Sequence, residues 1–301
     1  MKNILLFLTP TLIWGSTWFV IKFQVGDVDP MYSVAYRFLL AGILMLSGCK
    51  IFGLKLSFSL KEHAFILLQG IFLFCFNYLM VYNSELYLTS GLVGLIFTLL
   101  VFFNLLNSRI FLKTPFQPRV IFGGLFGIAG TALIFRNDLL DFSFSDGKIL
   151  GLMLAIGATI VASFGNVTSA YNQNKGIPVI PSNAFGMFYG GLIMLFLGLI
   201  TGKPLLFIFE TSYIASLLYL SVFGSIIAFG AYLTLVGSIG ASKAAYVNLI
   251  GPVIALVLST VFENYQWTLF SLIGAALILI GNAVALFRRK RKTLATVELE
   301  S

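Results

Sequence analysis

The stretch from Trp14 to Trp18 places two indole rings and two hydroxyl groups inside the first apolar segment. Trp14 and Trp18 are four residues apart and share one face of a helix, with Ser16 and Thr17 beside them. An indole ring offers an apolar wall and one N–H donor, which suits recognition of a partly hydrophobic molecule. At about 1.5 Å per residue, Trp14 lies near mid-bilayer, away from the interface that tryptophan prefers. We predict that these four residues bind substrate, with helix packing as the alternative for Ser16.

The third apolar segment carries polar side chains along one predicted helix face. Tyr78, Tyr82 and Glu85 recur at i, i+4 and i+7, and Asn77 lies beside them. Tyrosine hydroxyls inside a membrane need hydrogen-bond partners, and a carboxylate one turn further out could bind an ammonium group or hold a proton. All four are candidate substrate-binding residues. The alternative for Glu85 is a solvated position in the outer turn.

Arg37 is the one charged residue well inside an apolar segment. A charge without a partner is costly there, so Arg37 needs a counter-charge, polar groups or water. Two interpretations stay open. Arg37 binds a carboxylate of the substrate, or it fixes its own helix through backbone carbonyls or Glu85.

Polar residues on further segments complete the candidate site. Each one alone is more typical of hydrogen bonding between helices than of ligand contact. Their occurrence on several segments favours one shared cavity, because polar side chains in spanning helices face the bundle interior. The remaining candidates are Thr98, Asn166, Tyr246 and Asn248.

Several kinds of catalytic and metal-binding chemistry are missing from the sequence. His63 is the single histidine, and the two cysteines, Cys49 and Cys75, lie in or at the edge of apolar segments. No phosphate loop, zinc motif or nucleophile elbow is present. We therefore expect neither an enzyme, nor a metal site, nor a cofactor. No acidic residue lies at mid-depth, which argues against proton coupling through a central carboxylate.

The elements that position these residues follow from composition. The chain is 59% hydrophobic and 10% charged, whereas a soluble domain carries about a quarter charged residues. This indicates an all-α polytopic membrane protein that contacts the lipid bilayer. The net charge of +8 is no sign of nucleic-acid binding, because the basic run at 288–292 directly follows the last apolar segment and is typical of a cytoplasmic lipid anchor.

Apolar runs near 20 residues predict transmembrane helices, because backbone groups in hydrocarbon must bond within their own segment. The connections between them are short and leave no room for a soluble domain. The ten predicted helices cover 4–22, 31–52, 64–83, 89–111, 120–135, 147–171, 183–201, 214–236, 240–262 and 269–287.

Orientation follows from the basic residues. With the N-terminus in the cytoplasm, most of the nineteen lysines and arginines fall on the cytoplasmic side. We therefore predict that both termini are cytoplasmic, with residues 288–301 as a basic and then polar tail.

An internal repeat relates the two halves of the chain. Adding 151 to the residue number maps Pro30 onto Pro181, and Gly123 onto Gly274. Each half, 1–136 and 147–287, holds five predicted helices, and this odd number inverts the second half in the membrane. Inverted repeats place a substrate site at their mutual interface and alternate access by rocking one half against the other.

At this point the residues resemble a known family. "WGSTWFV" in the first segment, Arg37, "GASKAAYVNLIGPVIALVLSTVFE" at 240–263 and "LIGAALILIGNAVALF" at 272–287 are similar to the EamA branch of the drug/metabolite transporter superfamily. The resemblance covers nearly the whole chain. It implies a bacterial inner-membrane transporter of small metabolites, often amino acids or related compounds, with a central cavity between the halves.

The sequence departs from that family at two places. Members often have a proline in the fourth helix that matches Pro252 of the ninth, whereas Val101 stands there. A Gly-Glu pair often ends the fourth helix, and this chain reads "FLKTPF" at 111–116 instead. If Pro252 is a gating residue, the two halves move differently.

The function predicted is secondary transport, as an exporter or exchanger, of a small metabolite such as an amino acid. The alternative is a non-transporting membrane sensor or assembly subunit, which the basic tail leaves possible. Since each chain holds both halves, we expect a monomer, or a homodimer with one pathway per chain.

Overall fold

The computed structural model describes residues 1–142, 146–262 and 266–286, and this part of the chain is helical without any strand. Two stretches, Ile71–Phe76 and Leu220–Ile227, are π-helical. The helices are α1 (Lys2–Gln24), α2 (Pro30–Ile51), α3 (Leu60–Ser84), α4 (Ser90–Leu112), α5 (Pro118–Ile134), α6 (Arg136–Leu140), α7 (Asp146–Asn174), α8 (Val179–Ile200), α9 (Thr211–Ile239), α10 (Ala241–Ala244), α11 (Tyr246–Phe262) and α12 (Leu269–Leu286).

The prediction of an all-helical chain with many membrane spans is confirmed. Within the described residues, eight helices are long and apolar enough to cross a membrane, namely α1 to α4, α7 to α9 and α12, and α5 is a shorter apolar helix. The predicted segment 240–262 falls on α10 and α11, and its crossing stays a prediction. Residue 287 and the predicted tail 288–301 lie outside the described residues.

Local capping sets the starts of several helices. The Asp29 carboxylate accepts a hydrogen bond from the Met31 amide at 2.9 Å, just before α2. Ser59 and Glu62 form a reciprocal capping box, with Glu62 N–H to Ser59 Oγ at 3.3 Å and Ser59 N–H to Glu62 Oε2 at 2.6 Å. Because of this box, α3 begins at Leu60, earlier than the predicted start at residue 64.

Two antiparallel helix pairs flank the centre of the bundle, α2 with α8 and α5 with α12. In the second pair, Gly123 faces Gly281 and Gly130 faces Gly274, and a Cβ on any of the four would meet the carbonyl oxygen of its partner. Small residues allow helix backbones to approach this closely. The two pairs leave α1, α3, α4, α7, α9 and α11 to enclose the middle of the molecule.

The enclosing helices pack in two sets. Helix α1 lies against α9 and α11, whereas α7 lies against α3 and α4. The π-helical stretches occur on α3 and α9, where Ser225 Oγ also donates to the Leu220 carbonyl at 2.9 Å. Such stretches rotate the side chains that follow them and often occur at functional sites.

We expect the Gly130→Ala substitution to destabilise the fold, because the added methyl group would press on Gly274 and Ile278 of α12. A penalty of about 1–3 kcal/mol is typical of overpacking. The matched control is Gly48→Ala in α2, where a Cβ meets nothing within 4 Å. Thermal unfolding in detergent should show a lower Tm for the first variant and an unchanged or higher Tm for the second. Equal Tm values would contradict the close contact.

Candidate functional site

The centre of the bundle holds a cavity whose described walls are uncharged. Its lining comes from α1, α3 and α4 of the first half of the sequence and from α7, α9 and α11 of the second. The lining residues are Trp14, Thr17, Trp18, Ile21, Leu73, Asn77, Tyr78, Val81, Phe97, Leu100, Ala162, Asn166, Phe229, Tyr232 and Asn248. The cavity therefore lies between the two halves of the sequence, and it offers aromatic faces with a few amide and hydroxyl groups.

Trp14 connects the cavity wall to the second half of the chain. Its Nε1–H donates to the Gly224 carbonyl in the π-helical stretch of α9 at 3.0 Å. The ring lies 4.9 Å from that of Phe229 and 5.0 Å from that of Tyr232, measured between centroids. Because its N–H already has a partner, Trp14 presents an apolar wall to the cavity and no free donor.

The other candidates of this motif differ from one another. Thr17 and Trp18 line the cavity, and the Trp18 ring packs on Phe97 at 5.1 Å. Ser16 is absent from the lining. Its Oγ donates to the Ile13 carbonyl at 2.8 Å and hydrogen-bonds the Tyr219 hydroxyl at 2.7 Å. The packing alternative for Ser16 therefore fits the structure.

Asn166 brings an unsatisfied polar atom to the cavity. Its Nδ2 donates to the Tyr232 hydroxyl at 3.0 Å and to Asn104 Oδ1 at 3.4 Å. Its Oδ1 is buried and has no partner. Buried polar atoms are rarely left unpaired, so this oxygen suits a ligand N–H or O–H group. The amides of Asn77 and Asn248 instead donate to nearby backbone carbonyls.

Arg37 lies behind the cavity wall and not in it. Its guanidinium donates to Ser225 Oγ at 3.0 Å, to the Tyr82 hydroxyl at 3.4 Å and to the Tyr78 hydroxyl at 3.5 Å. Its Cζ also lies 4.5 Å from the centre of the Tyr78 ring. No described carboxylate lies within 4.0 Å of it, and the suggested pairing with Glu85 is wrong. Among the described residues, this charge is therefore held by neutral hydroxyl groups and by the faces of the Tyr78 and Phe38 rings.

Glu85 occupies the turn between α3 and α4 and is 8% exposed, so the solvated alternative is wrong. Its Oε2 accepts from Ser90 Oγ at 2.7 Å, whereas its Oε1 is buried without a partner. Burial raises the pKa of Glu85 to about 7, although the Ser90 hydrogen bond and the charge of Lys22 act in the opposite direction. Glu85 does not line the central cavity.

Four other predicted residues lie outside the cavity lining. Thr98 donates to the Leu95 carbonyl at 2.6 Å, and the Tyr246 hydroxyl donates to the Val120 carbonyl, which ties α11 to α5. Tyr82 is fully buried beside the Arg37 guanidinium. Pro252 lies within α11 and lines a second cavity shared with α1 and α4.

Sequence reasoning missed the contribution of α9. Phe229 and Tyr232 form much of the aromatic wall, and their i, i+3 spacing on an apolar segment was the available signal. The Gly224 carbonyl that holds Trp14 has no signal in the sequence, because its position depends on the π-helical register of α9.

A buried polar cluster links α1 and α2 of the first half to α9 of the second. We name it the Gln24 cluster, and it consists of Gln24, Ser33, Tyr213 and Ser216. Gln24 Nε2 donates to the Tyr213 carbonyl at 2.9 Å and to Ser216 Oγ at 2.6 Å, while Ser33 Oγ donates to the Gln24 carbonyl at 2.7 Å. It joins α1 and α2 to α9, and Gln24 Oε1 is left without a partner.

A second cluster joins α3 to α7 and α8, and it shares no helix with the first. We name it the Gln69 cluster, and it consists of Gln69, Asn172 and Asn183. Gln69 Nε2 donates to Asn183 Oδ1 at 2.9 Å, and Asn172 Nδ2 donates to Gln69 Oε1 at 3.0 Å. Here too buried atoms lack partners, Asn172 Oδ1 and Asn183 Nδ2. Each cluster therefore links helices of both halves through amides that are only partly satisfied.

A bundle of apolar helices around a cavity whose described walls are uncharged defines a multi-span integral membrane protein. The EamA-like transporter family matches this chain over residues 1–136 and 149–287. The chain belongs to that family, as the resemblance implied. The family consists of transporters and not of enzymes, which agrees with the expectation drawn from the sequence.

Relatives with curated names match along almost their whole length. The uncharacterized inner membrane transporter YedA of Escherichia coli strain K12 is 29% identical, covering 93% of this chain and 90% of its own. Protein PagO of Salmonella typhimurium is 25% identical, covering 95% and 93%. A solved crystal structure superimposes with a TM-score of 0.77 at 19% identity, covering 94% of this chain and 96% of its own, which supports the fold.

We expect the stability of the protein to fall as the pH rises from about 4.5 to about 7. In this window folded Glu85 keeps a proton that the unfolded chain has released, so the folded state binds more protons and the unfolding free energy decreases with pH. The total change is on the order of a few kcal/mol. Glu85→Gln should flatten the slope, measured as Tm against pH.

The control for this titration is Glu210→Gln at the exposed residue before α9, which should keep the wild-type slope. Parallel curves for the wild type and Glu85→Gln would show that Glu85 does not hold a proton in the folded protein.

Proposed function

We propose that this protein is a secondary transporter that moves a small metabolite through the central cavity by alternating access. The observation that carries the proposal is the position of the cavity, which helices of both halves line in equal number. Binding of a small molecule at such an interface allows either half to cover it. Membership of a transporter family supports the same conclusion.

The proposed architecture is ten transmembrane helices in two inverted five-helix repeats, 1–136 and 147–287, followed by the tail 288–301. Several features support it. An offset of 151 carries the π-helical stretch Ile71–Phe76 onto 222–227, within Leu220–Ile227 of α9. The same offset maps Gly123 onto Gly274 and Gly130 onto Gly281, so it relates the contact of Gly123 with Gly281 to the contact of Gly274 with Gly130. A two-fold axis between the halves would produce both relationships.

The two polar clusters are the proposed gates. With the N-terminus in the cytoplasm, the Gln24 cluster lies at the outer end and the Gln69 cluster at the cytoplasmic end. Each ties two helices of one half to one helix of the other, and the repeat exchanges the helices involved. Their partly satisfied amides make opening less costly than breaking a complete network. Pro252 in α11 is a further candidate hinge, because proline removes one backbone hydrogen bond.

We place the protein in the bacterial cytoplasmic membrane with both termini in the cytoplasm. The distribution of basic residues supports the orientation. The name of YedA, an inner membrane transporter, supports the membrane. Since one chain supplies both halves of the cavity, the proposed unit is a monomer, or a homodimer with one pathway per chain.

The proposed substrate has an apolar body, because six aromatic side chains line the cavity, those of Trp14, Trp18, Tyr78, Phe97, Phe229 and Tyr232. Amino acids and related metabolites fit this description. Transport as an exporter or exchanger needs no mid-membrane acidic residue. A sensor or assembly subunit without transport is the outcome that the first experiment below would favour if no flux is found.

We expect Trp14→Ala to weaken ligand binding. The test is thermal stabilisation of purified protein by a panel of amino acids, aromatic metabolites, amines, nucleosides and vitamins, followed by flux measurements in proteoliposomes. A ligand at a hundredfold excess over Kd stabilises the folded state by about 2.7 kcal/mol. Removing the indole wall should weaken this binding at least tenfold. Trp267→Ala, outside the cavity lining, is the matched control and should bind normally.

A silent panel, with no flux in vesicles, would contradict transport and favour the non-transporting alternative. Equal binding by Trp14→Ala and the wild type would place the substrate outside this cavity.

We expect that cross-linking either gate stops transport. In a background of Cys49→Ser and Cys75→Ser, the pair Gln24→Cys with Ser216→Cys ties the Gln24 cluster, and Gln69→Cys with Asn183→Cys ties the Gln69 cluster. A thiol-bridging reagent should block flux in each case, and a reductant should restore it, because alternating access needs both ends to open in turn.

The control pair for the gates is Thr89→Cys with Asp138→Cys, whose side chains meet at 3.0 Å between the start of α4 and the short helix α6, without a residue of the second half. Its cross-link should leave flux unchanged. Full flux with one gate completely cross-linked would contradict the gating role of that cluster.

A further inference from the structure

The buried charge of Arg37 has no role in the transport cycle described above. The side chain is 1% exposed, and its described hydrogen-bond acceptors are three neutral hydroxyl groups. Two of these, from Tyr78 and Tyr82, lie at 3.5 and 3.4 Å, longer than the usual N–H···O distance of about 2.9 Å. The guanidinium is therefore weakly satisfied and uncompensated.

This charge lies directly behind the cavity wall. Tyr78, which lines the cavity, has its ring centre 4.5 Å from the Arg37 Cζ. Thr17, another lining residue, lies beside the same guanidinium. Both side chains lie next to Gly224, because a Cβ added to Gly224 would be 3.1 Å from Thr17 Cγ2 and 3.2 Å from Arg37 Nη2. One layer of side chains thus separates the cation from the cavity.

An anion is the ligand that this arrangement favours. None of the described lining residues is charged, and the cation of Arg37 lies directly behind the lining residue Tyr78. In surroundings of low dielectric constant, an uncompensated cation attracts an anion strongly. The Tyr78 hydroxyl accepts from the guanidinium and keeps its own O–H group to donate, and Tyr78 lines the cavity, so a carboxylate there can bind this O–H beside the positive charge.

We propose that the substrate is recognised through a carboxylate group, which binds the Tyr78 hydroxyl and is attracted by the charge of Arg37 behind it, and that an ammonium group is not required. This inference rests on the proposed transport function and names its substrate class, a small organic carboxylate with an apolar body. An ammonium group would find no carboxylate among the lining residues. The unpaired Asn166 Oδ1 accepts equally from a hydroxyl or an amine.

The experiment uses matched sets of compounds that share one apolar body, such as L-phenylalanine, 3-phenylpropanoate, 3-phenylpropanamide and phenethylamine. Parallel sets carry isobutyl and indolyl bodies. Half-maximal concentrations are measured by thermal stabilisation and by competition for flux in proteoliposomes. Within any set that binds, both carboxylates should bind at least tenfold more tightly than the amide and the amine.

Arg37→Gln tests the role of Arg37 through the ratio of the affinities for the carboxylate and the amide of one set. A general loss of stability does not change this ratio. The preference for carboxylate over amide should fall at least tenfold in Arg37→Gln and persist in Arg37→Lys, which keeps the charge. If Arg37→Gln does not fold, the comparison of compounds on the wild type decides alone.

Ligands that bind equally well without a carboxylate, or an unchanged preference in Arg37→Gln, would overturn the inference and leave transport standing. Absence of every ligand and of flux would contradict the transport proposal itself.

Discussion

The constraint on which this structure depends is that polar groups inside a membrane bundle must find their partners within the protein. Many of the partners here belong to the other half of the chain. Trp14 donates to the Gly224 carbonyl, Asn77 to that of Ala158, and Asn104 to that of Ala241. These bonds hold the two halves around the cavity, and the glycine contacts between α5 and α12 allow the backbones to meet at its side. The cavity thus lies where hydrogen bonds between the two halves hold their helices around a common centre.

The same constraint separates the fixed regions of the protein from those that can move. Close backbone contacts along α2 with α8 and α5 with α12 leave little freedom for sliding. The Gln24 and Gln69 clusters, in contrast, keep buried amide atoms without partners. An opening at either cluster exposes those atoms to water, which would satisfy them. In our proposal these two ends exchange open and closed states while the flanking pairs hold.

The sequence predicted the placement of most helices, because a long apolar run leaves the backbone no alternative in hydrocarbon. It missed the early start of α3, since the Ser59–Glu62 capping box lies in a polar stretch. Seven of the predicted site residues line the cavity, including Trp14, Tyr78 and Asn166, and they were identified from helix periodicity and from polar residue types within apolar segments. The partners of Arg37 and the two polar clusters were out of reach, because they depend on contacts between distant segments and on the π-helical register of α9.

The alternating movement of the halves is tested most directly by measuring the distance between two spin labels on the protein in liposomes by electron spin resonance. One label pair, at the exposed residues Asp27 and Glu210, spans the Gln24 cluster, and another, at Lys61 and Lys175, spans the Gln69 cluster. The account predicts two distances for each label pair. Conditions that lengthen the distance in one pair should shorten the distance in the other. A single unchanging distance at both ends, or widening of both ends together, would contradict it.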